Sequence, residues 1–316
     1  MSIVRKAFIV LHDVLSPFVK DKVNRTLTFD KKGNEVQDYI KVLLEVDKPV
    51  MIARFGSTEL TAMEGYRCAI NPKNVYKYLT KHIDHVGYTN YIVKNMWELS
   101  GFFPSNAKAL DRFCEMMVGL IPMVDVLGSW RIEEHLFDAE LENAVKVPMP
   151  DLEPYYFDNP WTPALEGKKV LVIHPFEDTI RKQHARYELL FEDKRLTPKY
   201  ELQTMKAVQS IAGNKPAEFD DWFQALDWMK AEIDKRDFDI AIIGCGAYGF
   251  PLAAHVKQIG KKAVHLGGAV QNLFGIRSRG MENTEWFKKT VNDYWARPSE
   301  EETPKGFKKV ENGLYW

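Results

Sequence analysis

A glycine-rich turn between two apolar segments has the composition of a phosphate-binding loop. Residues 238–243 form a short apolar run rich in β-branched side chains, and Gly244, Gly246, Tyr248 and Gly249 follow it before a segment with helical spacing of apolar residues. This order predicts a strand, a tight turn and a helix. The spacing G-x-G-x-x-G is typical of turns whose backbone N–H groups hold a phosphate or pyrophosphate at a helix N-terminus. The alternative is that the glycines only let the helix pack closely on the sheet.

The residues after this unit argue against a nicotinamide dinucleotide. Such a site needs an acidic residue about 20 residues after the first glycine, where it binds the ribose hydroxyls. Residues 264–268 read Val-His-Leu-Gly-Gly and contain no carboxylate. The glycine pair and Gln271 that follow suit a loop that wraps a ligand, although the same residues could simply turn the chain. An oxidoreductase is therefore the least favoured hypothesis.

A second strand-to-helix turn carries a cation, two hydroxyls and a carboxylate. Residues 50–55 predict a buried strand that ends at Arg54 and leads to Gly56, and Ser57 can cap the helix that follows. Glu59 then lies in the first helical turn, where the helix dipole favours a negative charge. In a functional site Arg54 would pair with phosphate or carboxylate oxygens, and Glu59 would act on a metal, a sugar hydroxyl or a proton. The alternative is an internal ion pair between Arg54 and Glu59.

A third group of polar residues follows the predicted strand 169–174. His174 ends this strand, and Glu177 and Asp178 open the next helix. Either carboxylate could act as a general base. The simpler interpretation is that both favour the helix start through its dipole.

The order of these elements predicts an α/β fold, a Rossmann-like parallel sheet flanked by helices. Strands and helices alternate after residue 163, and ligands in such sheets bind beyond the carboxyl ends of the strands, where all three polar groups would lie. We expect a helical segment at 1–48, including a helix that Asn34 caps, and a Rossmann-like domain at 49–280. A proline-rich crossing loop is expected at 151–163, and an aromatic segment packed on the domain at 281–316.

Composition excludes several classes of function. The 43 basic residues balance the 44 acidic ones, so nothing indicates nucleic acid as the main partner. The three cysteines are isolated in sequence, which predicts neither a disulfide framework nor a zinc site. The apolar run near the start is too short for a signal peptide or a membrane span and predicts an amphipathic helix instead. We therefore expect a cytoplasmic protein without a transmembrane segment.

Three stretches of the chain together resemble a known family. They are ARFGSTEL, VIHPF and DIAIIGCGAYGFPLAAHVKQIGKKAVHLGG, and they resemble the GT-D class of bacterial glycosyltransferases over about residues 49–275. The resemblance implies a GT-D-like single domain, a nucleotide-sugar donor, and a motif Arg-Phe-Gly-Asp-x-Glu that engages a divalent metal and the donor. Arg54, Phe55, Gly56 and Glu59 match this motif, whereas Ser57 stands where the family has Asp.

The serine changes what the resemblance implies about a metal. Ser57 keeps the helix cap but lacks the anionic oxygen that Mn²⁺ or Mg²⁺ prefers. Either Glu59 holds a metal more weakly and through water, or Arg54 and the amides of residues 244–249 offset the diphosphate charge instead.

The resemblance implies a glycosyltransferase of bacterial surface-glycan biosynthesis. Its partners would be a nucleotide-sugar donor and a glycan or glycolipid acceptor, with Glu59 binding metal or donor and Glu177 or Asp178 as the acceptor base. A location at the inner face of the membrane and a homo-oligomer are both compatible with it. The alternative is a nucleotide or nucleotide-sugar binding protein without catalysis, in which Ser57 marks the loss of activity.

Overall fold

A seven-stranded, all-parallel β-sheet forms the centre of the protein. The structure, a computed structural model, describes residues 26–70 and 87–316 together with Val10, Leu11 and Val14. The strands are β1 (Val50–Ala53), β2 (Val126–Ser129), β3 (Val145–Pro148), β4 (Lys169–His174), β5 (Glu201–Lys206), β6 (Ile240–Ile243) and β7 (Lys262–His265). Their order across the sheet is β3-β2-β1-β7-β6-β4-β5. The predicted α/β, Rossmann-like arrangement is therefore confirmed.

The last strand in sequence lies in the middle of the sheet. In β7, Ala263 pairs with Met51 of β1 and Val264 pairs with Ile242 of β6. Every residue of β1 and β6 is buried, as expected for parallel strands covered on both faces. The βαβ unit predicted from the glycine turn is present, because β6 and β7 are parallel neighbours.

Helices cover both faces of this sheet. They are α1 (Asn34–Glu45), α2 (Ser57–Ile70), α3 (Asn90–Glu98), α4 (Ala107–Leu120), α5 (Glu177–His184), α6 (Trp222–Asp234), α7 (Gly249–Gln258), α8 (Val270–Leu273) and α9 (Glu285–Thr290). Side chains of α2, α3, α4, α6 and α7 share one hydrophobic cluster with Met51, and those of α1, α5, α8 and α9 share another with Ile52. Met51 and Ile52 are adjacent, so the two clusters lie on opposite faces of the sheet.

Tertiary contacts shift several predicted boundaries. The predicted cap at Asn34 is wrong, because Gly33 occupies the N-cap position and Asp151 accepts a hydrogen bond from its N–H. Gln37, three residues after Asn34, is buried and donates to the Asp151 carbonyl oxygen. The helix that Glu177 and Asp178 open ends at His184, and a short 3₁₀ helix follows it. Strand β3 was not predicted, since it contains a lysine and a proline and only Val147 of its four residues is buried.

The two proline-rich and aromatic segments pack against the same face of the sheet. Residues 149–165 form three short 3₁₀ helices, and Trp161 from this stretch is fully buried beside α1. Phe287, Trp295 and Trp316 of the C-terminal segment join the same cluster. Of the predicted segment 1–48, the structure shows helix α1, whereas most of the amphipathic opening helix lies outside the described residues. None of the helices in the described part of the chain is long and apolar enough to span a membrane.

Candidate functional site

A cavity of about 390 Å³ opens at the carboxyl ends of the central strands. Residues that end or follow β1, β4, β6 and β7 line it, namely Arg54, His174, Gly244 and Gly267. Of the residues singled out in the sequence, the following line this cavity: Arg54, Gly56, Ser57, Glu59, Gly244, Gly246, Tyr248 and Gln271. Gly249, Glu177 and Asp178 are not among its lining residues. The parallel sheet thus brings segments far apart in sequence, such as those of Arg54 and Gly267, to one edge.

Arg54 is held in place while part of its guanidinium stays unbonded. The guanidinium carbon lies 5.3 Å from the centre of the Trp130 ring, and Nη1 donates to the Phe55 carbonyl oxygen over 3.3 Å. A backbone bend at Gly267, with φ of 61°, lies against the same guanidinium. Arg54 Nε is buried and has no hydrogen-bond partner among the described residues. An ordered, unpaired arginine N–H is suited to an anionic oxygen of a ligand.

Glu59 lies folded back against the turn that precedes its helix. Its carboxylate packs on the Cα of Gly56, where any side chain would collide with it. Burial raises the pKa of Glu59 above its usual value, while its own backbone N–H, the Arg54 charge and the Ser100 hydroxyl act in the opposite direction. The expected internal ion pair with Arg54 is not formed: the two groups interact through their charges without a salt bridge. Glu59 is therefore a buried acceptor at the cavity wall.

The glycine turns after β6 and β7 line the cavity and include backbone N–H groups without a partner among the described residues. After β6, Gly246 adopts a φ of 57°, and the N–H groups of Gly244, Ala247 and Tyr248 are bonded within the protein. The N–H groups of Cys245 and Gly246 have no partner in the described part of the chain. The N–H groups of Gly267 and Gly268, which follow β7, likewise have no partner among the described residues. These four residues and Arg54 all line the same cavity.

Three residues of the predicted glycine loop serve packing. At Gly244, a Cβ would lie 2.9 Å from His174 Cδ2, and at Gly249 a Cβ would collide with the His265 ring. Tyr248 is buried against Trp222, with ring centres 4.8 Å apart, and its hydroxyl lies 3.2 Å from Ser210 Oγ. The close-packing interpretation of the glycines thus holds for Gly244 and Gly249.

Two buried histidines at the cavity have opposite tautomers. His174 Nδ1 accepts a hydrogen bond from the Phe176 N–H over 3.0 Å, which leaves its proton on Nε2. His265 Nδ1 lies 3.2 Å from the Ile243 carbonyl oxygen and must donate to it, which leaves Nε2 as an acceptor. Burial lowers the pKa of each to about 3, so both are neutral at physiological pH. We did not single out His265 from the sequence, where a histidine ending an apolar strand is the available signal.

The C-terminal segment closes the outer side of the cavity. Val310, Glu311, Tyr315 and Trp316 line it, and the Tyr315 ring packs directly on Gly268. Burial raises the pKa of Tyr315 to about 12, which keeps its hydroxyl protonated. The expected aromatic C-terminal segment therefore contributes to the site as well as to the core.

The two carboxylates predicted as the acceptor base lie away from the cavity. Glu177 accepts a hydrogen bond from the Thr204 hydroxyl over 2.8 Å and lies 3.5 Å from Arg181. Asp178 is more than half exposed and pairs with the same arginine at 2.9 Å. Both fit the helix-start interpretation, and neither borders the cavity.

A second chamber of about 300 Å³ adjoins the cavity of about 390 Å³, which forms the first chamber. Arg54, Gly268, Gln271 and Tyr315 border both chambers, and Glu153 borders the second one. Gln271 and Asn272 of α8 are 2% and 4% exposed. Gln271 Nε2 and Asn272 Oδ1 have no hydrogen-bond partner among the described residues. Buried amides without partners are rare in proteins.

The donor set of the first chamber fits a divalent metal poorly. Glu59 is buried with a raised pKa, and Ser57 supplies a hydroxyl where a second carboxylate would be needed. Arg54 adds a positive charge beside them. Within residues 26–70 and 87–316, no three His, Cys, Asp or Glu side chains are grouped closely enough to hold a metal ion.

Comparison with known proteins gives no further assignment. No protein-family model, no curated protein and no solved structure matches the chain significantly.

Proposed function

We propose that the protein is a glycosyltransferase that uses a nucleotide-sugar donor. The observation that carries this proposal is a set of donors without partners among the described residues, on residues that line one cavity of about 390 Å³: Arg54 Nε and the N–H groups of Cys245, Gly246, Gly267 and Gly268. Backbone N–H groups and an arginine together are suited to a diphosphate. The resemblance of residues 49–275 to GT-D glycosyltransferases supports a sugar nucleotide as the compound that carries it.

The site offers stabilisation where glycosyl transfer needs it. When the bond between the sugar and the diphosphate breaks, negative charge develops on the leaving phosphate oxygen. Arg54 and the backbone amides are fixed by packing and would stabilise that charge without reorganising. Glu59 would accept a hydrogen bond from a donor hydroxyl at the inner wall of the cavity. The resemblance also supports a bacterial surface glycan or glycolipid as the acceptor and a cytoplasmic location for the reaction.

The poor metal donor set leads us to propose that donor binding needs no divalent ion. Arg54 and the amides supply the positive potential that a metal supplies in the family motif with Asp. Ser57 stands where the family has Asp. In this chain Arg54 and the backbone amides would therefore stabilise the diphosphate charge in place of a metal ion.

The proposal is tested by thermal shift with UDP, GDP, TDP and their sugar conjugates, with Mn²⁺ or EDTA. A ligand at 100 times its dissociation constant stabilises the folded state by about 2.7 kcal/mol. We expect the melting temperature to rise equally with Mn²⁺ and with EDTA. Arg54→Gln should remove most of the rise, because the phosphate loses its charged partner. Arg181→Gln, which removes an exposed arginine outside the cavity, is the matched control and should keep the rise.

The outcomes separate the proposal from its alternatives. Absence of a shift with every nucleotide would refute the donor site, and a shift with NAD or NADP alone would favour an oxidoreductase. Release of free nucleotide from a stabilising sugar nucleotide, lost in Glu59→Gln protein that remains folded, would establish a transferase. Stabilisation without any release would identify a binding protein.

A further inference from the structure

The second chamber differs from the first in its hydrogen-bonding groups. Arg54 borders both chambers, and the first adds backbone N–H groups without partners among the described residues, next to Glu59 and Glu311. In the second, Glu153 and the neutral side chains of Gln271 and Asn272 face the space next to Arg54. Backbone N–H groups beside an arginine suit phosphate oxygens, whereas side-chain amides and a carboxylate together suit uncharged hydroxyl groups. The first chamber therefore suits the diphosphate of a glycosyl donor, and the second suits the hydroxyl groups of an acceptor.

A hydrogen-bond chain fixes the orientation of the groups in the second chamber. The Tyr155 hydroxyl donates to the Glu153 carboxylate, so its oxygen can accept a hydrogen bond but has no second proton to give. Asn272 Nδ2 lies 2.8 Å from that oxygen and must be the donor. This assigns the Asn272 amide unambiguously and leaves Oδ1 as the unpaired acceptor.

The wall that carries this chain is rigid. Tyr155 is buried and its ring lies 4.5 Å from that of Trp286, whose Nε1 donates to the Tyr155 carbonyl oxygen over 2.9 Å. Tyr156, which also borders the chamber, is 39% exposed and presents an aromatic ring at its edge. An aromatic ring beside unpaired polar groups is a surface on which a sugar ring can stack.

We propose that the second chamber binds the hydroxyl of a sugar acceptor, with Gln271 Nε2 and Asn272 Oδ1 as its hydrogen-bond partners and Glu153 as the base that takes its proton. This inference rests on the proposed donor site in the first chamber. It assigns the role of base to Glu153 in place of Glu177 and Asp178, which do not border either chamber.

The transfer step is balanced with these groups. The acceptor oxygen forms the new bond to the anomeric carbon of the donor sugar, and its proton passes to a Glu153 carboxylate oxygen. The bond from the anomeric carbon to the diphosphate breaks, and its electron pair stays on the phosphate oxygen beside Arg54. Burial raises the pKa of Glu153, despite the opposing effects of the Tyr155 bond and the Arg54 charge, which makes it a stronger base than an exposed carboxylate.

The test uses the full chain saturated with UDP and a mixture of p-nitrophenyl glucoside, galactoside and N-acetylglucosaminide. Saturation-transfer NMR should show contact with the sugar-ring protons of at least one glycoside. Gln271→Met should weaken this binding about tenfold, since one hydrogen bond to the ligand is lost. The same variant should unfold at an equal or higher temperature, because a buried amide without a partner is replaced by an apolar side chain of similar volume.

Glu153→Gln separates the base from a binding group. We expect it to keep the glycoside signal and the nucleotide-induced thermal shift. Transfer to that glycoside, from the sugar nucleotide that gives the largest shift, should fall by about a hundredfold or more. Its residual rate should also lose the acidic limb of the pH profile.

The results that would contradict the acceptor inference differ from those that would contradict the donor proposal. If UDP raises the melting temperature but no glycoside shows contact, or if Glu153→Gln transfers at the wild-type rate, the acceptor inference is overturned and the donor site stands. If no nucleotide stabilises the chain, the donor proposal fails, and glycoside contact alone would then show a sugar-binding chamber.

Discussion

The contact between Gly56 and Glu59 leads to a prediction at the scale of single residues. A methyl group at position 56 would collide with the Glu59 carboxylate and push it out of its place in the cavity wall. We expect Gly56→Ala to weaken nucleotide binding about tenfold, the effect of one lost hydrogen bond. Isothermal titration with the nucleotide that gives the largest thermal shift measures this.

Gly119→Ala is the matched control for this substitution. Gly119 lies exposed on α4, and a Cβ there would have no neighbouring atom within 4 Å. Alanine in a helix should stabilise the protein by about 0.5 to 1 kcal/mol and leave nucleotide affinity unchanged. Equal nucleotide affinities of the two variants would contradict a role for the Glu59 carboxylate in binding.

His174 predicts how stability depends on pH. Its folded pKa of about 3 lies below the ordinary value of 6.5, so the unfolded chain takes up the proton first as pH falls. The stability that neutral His174 contributes is complete above pH 6.5 and is lost as pH falls from there towards 3. Relative to His174→Gln, the free energy of unfolding of the wild type should fall by about 2 kcal/mol between about pH 7 and 5.

Urea unfolding of both proteins at each pH checks this expectation. The m-values of wild type and variant must agree at each pH, which controls for changes in the denatured state. Parallel pH dependences of the two proteins would show that His174 is protonated in the folded state as readily as in the unfolded one.

Single residues of the site were predictable where they follow a strand with a recognisable motif. Arg54, Glu59 and the glycine turn were found because polar and glycine residues interrupt apolar runs. Glu153 and His265 were not, since the sequence does not show that β3 and β7 bring them to the same edge. Glu177 and Asp178 follow a strand as well, but their helix starts at a point where another segment covers it. Position after a strand is therefore not sufficient to place a side chain in a cavity.

At the scale of elements, the start of α5 is covered by a carboxylate from the C-terminal segment. Glu302 is buried and accepts hydrogen bonds from the N–H groups of Asp178 and Thr179 over 2.8 and 3.1 Å. The Thr179 hydroxyl and both the N–H and hydroxyl of Ser299 also donate to it. The N-terminus of α5, where the helix dipole favours a negative charge, thus anchors the C-terminal residues that line the cavity.

Glu302→Gln tests this attachment. We expect a loss of about 1 to 3 kcal/mol of unfolding free energy, because charge-assisted bonds are replaced by neutral ones at a buried position. Hydrogen exchange should also become faster across residues 299–316, where the segment depends on this anchor. Glu301→Gln removes the neighbouring carboxylate, which is exposed, and should change neither quantity. Identical exchange in the two variants would mean that Trp316 and its neighbours hold the segment without Glu302.

Element prediction succeeded where local sequence alone decides the outcome. Strand β4 begins and ends where the apolar run predicts. Strand β3 and the 3₁₀ helices of residues 149–165 depend on contacts with α1 and the sheet, which no local pattern records. The predicted cap of α1 failed for the same reason, since Gln37 is committed to a partner more than 100 residues away.

At the scale of the whole molecule, β7 is the strand that hydrogen-bonds to both halves of the sheet in the described part of the chain. Val264 is fully buried and pairs with strands of both halves. We expect Val264→Ala to cost about 2 to 4 kcal/mol, since a central cavity cannot be filled by local collapse. Leu202→Ala on edge strand β5 is the control and should cost less, because Leu202 is only partly buried.

Hydrogen exchange shows whether Val264→Ala destabilises both halves of the sheet or only one. If β7 joins the halves, Val264→Ala should speed exchange in β1 and in β6 together, whereas Leu202→Ala should act on the β4 and β5 side alone. Faster exchange confined to one half in the Val264 variant would show that the halves unfold independently.

The central place of β7 also has a consequence for synthesis of the chain on the ribosome. Val50 emerges early but pairs with Lys262, so one edge of β1 must wait for most of the chain to be translated. At ordinary translation rates this delay is on the order of ten seconds or more. During it, β1 presents an open apolar strand edge, to which chaperones or a second nascent chain can bind. We therefore expect the yield of folded protein to depend on chaperone supply more steeply than its final stability would suggest.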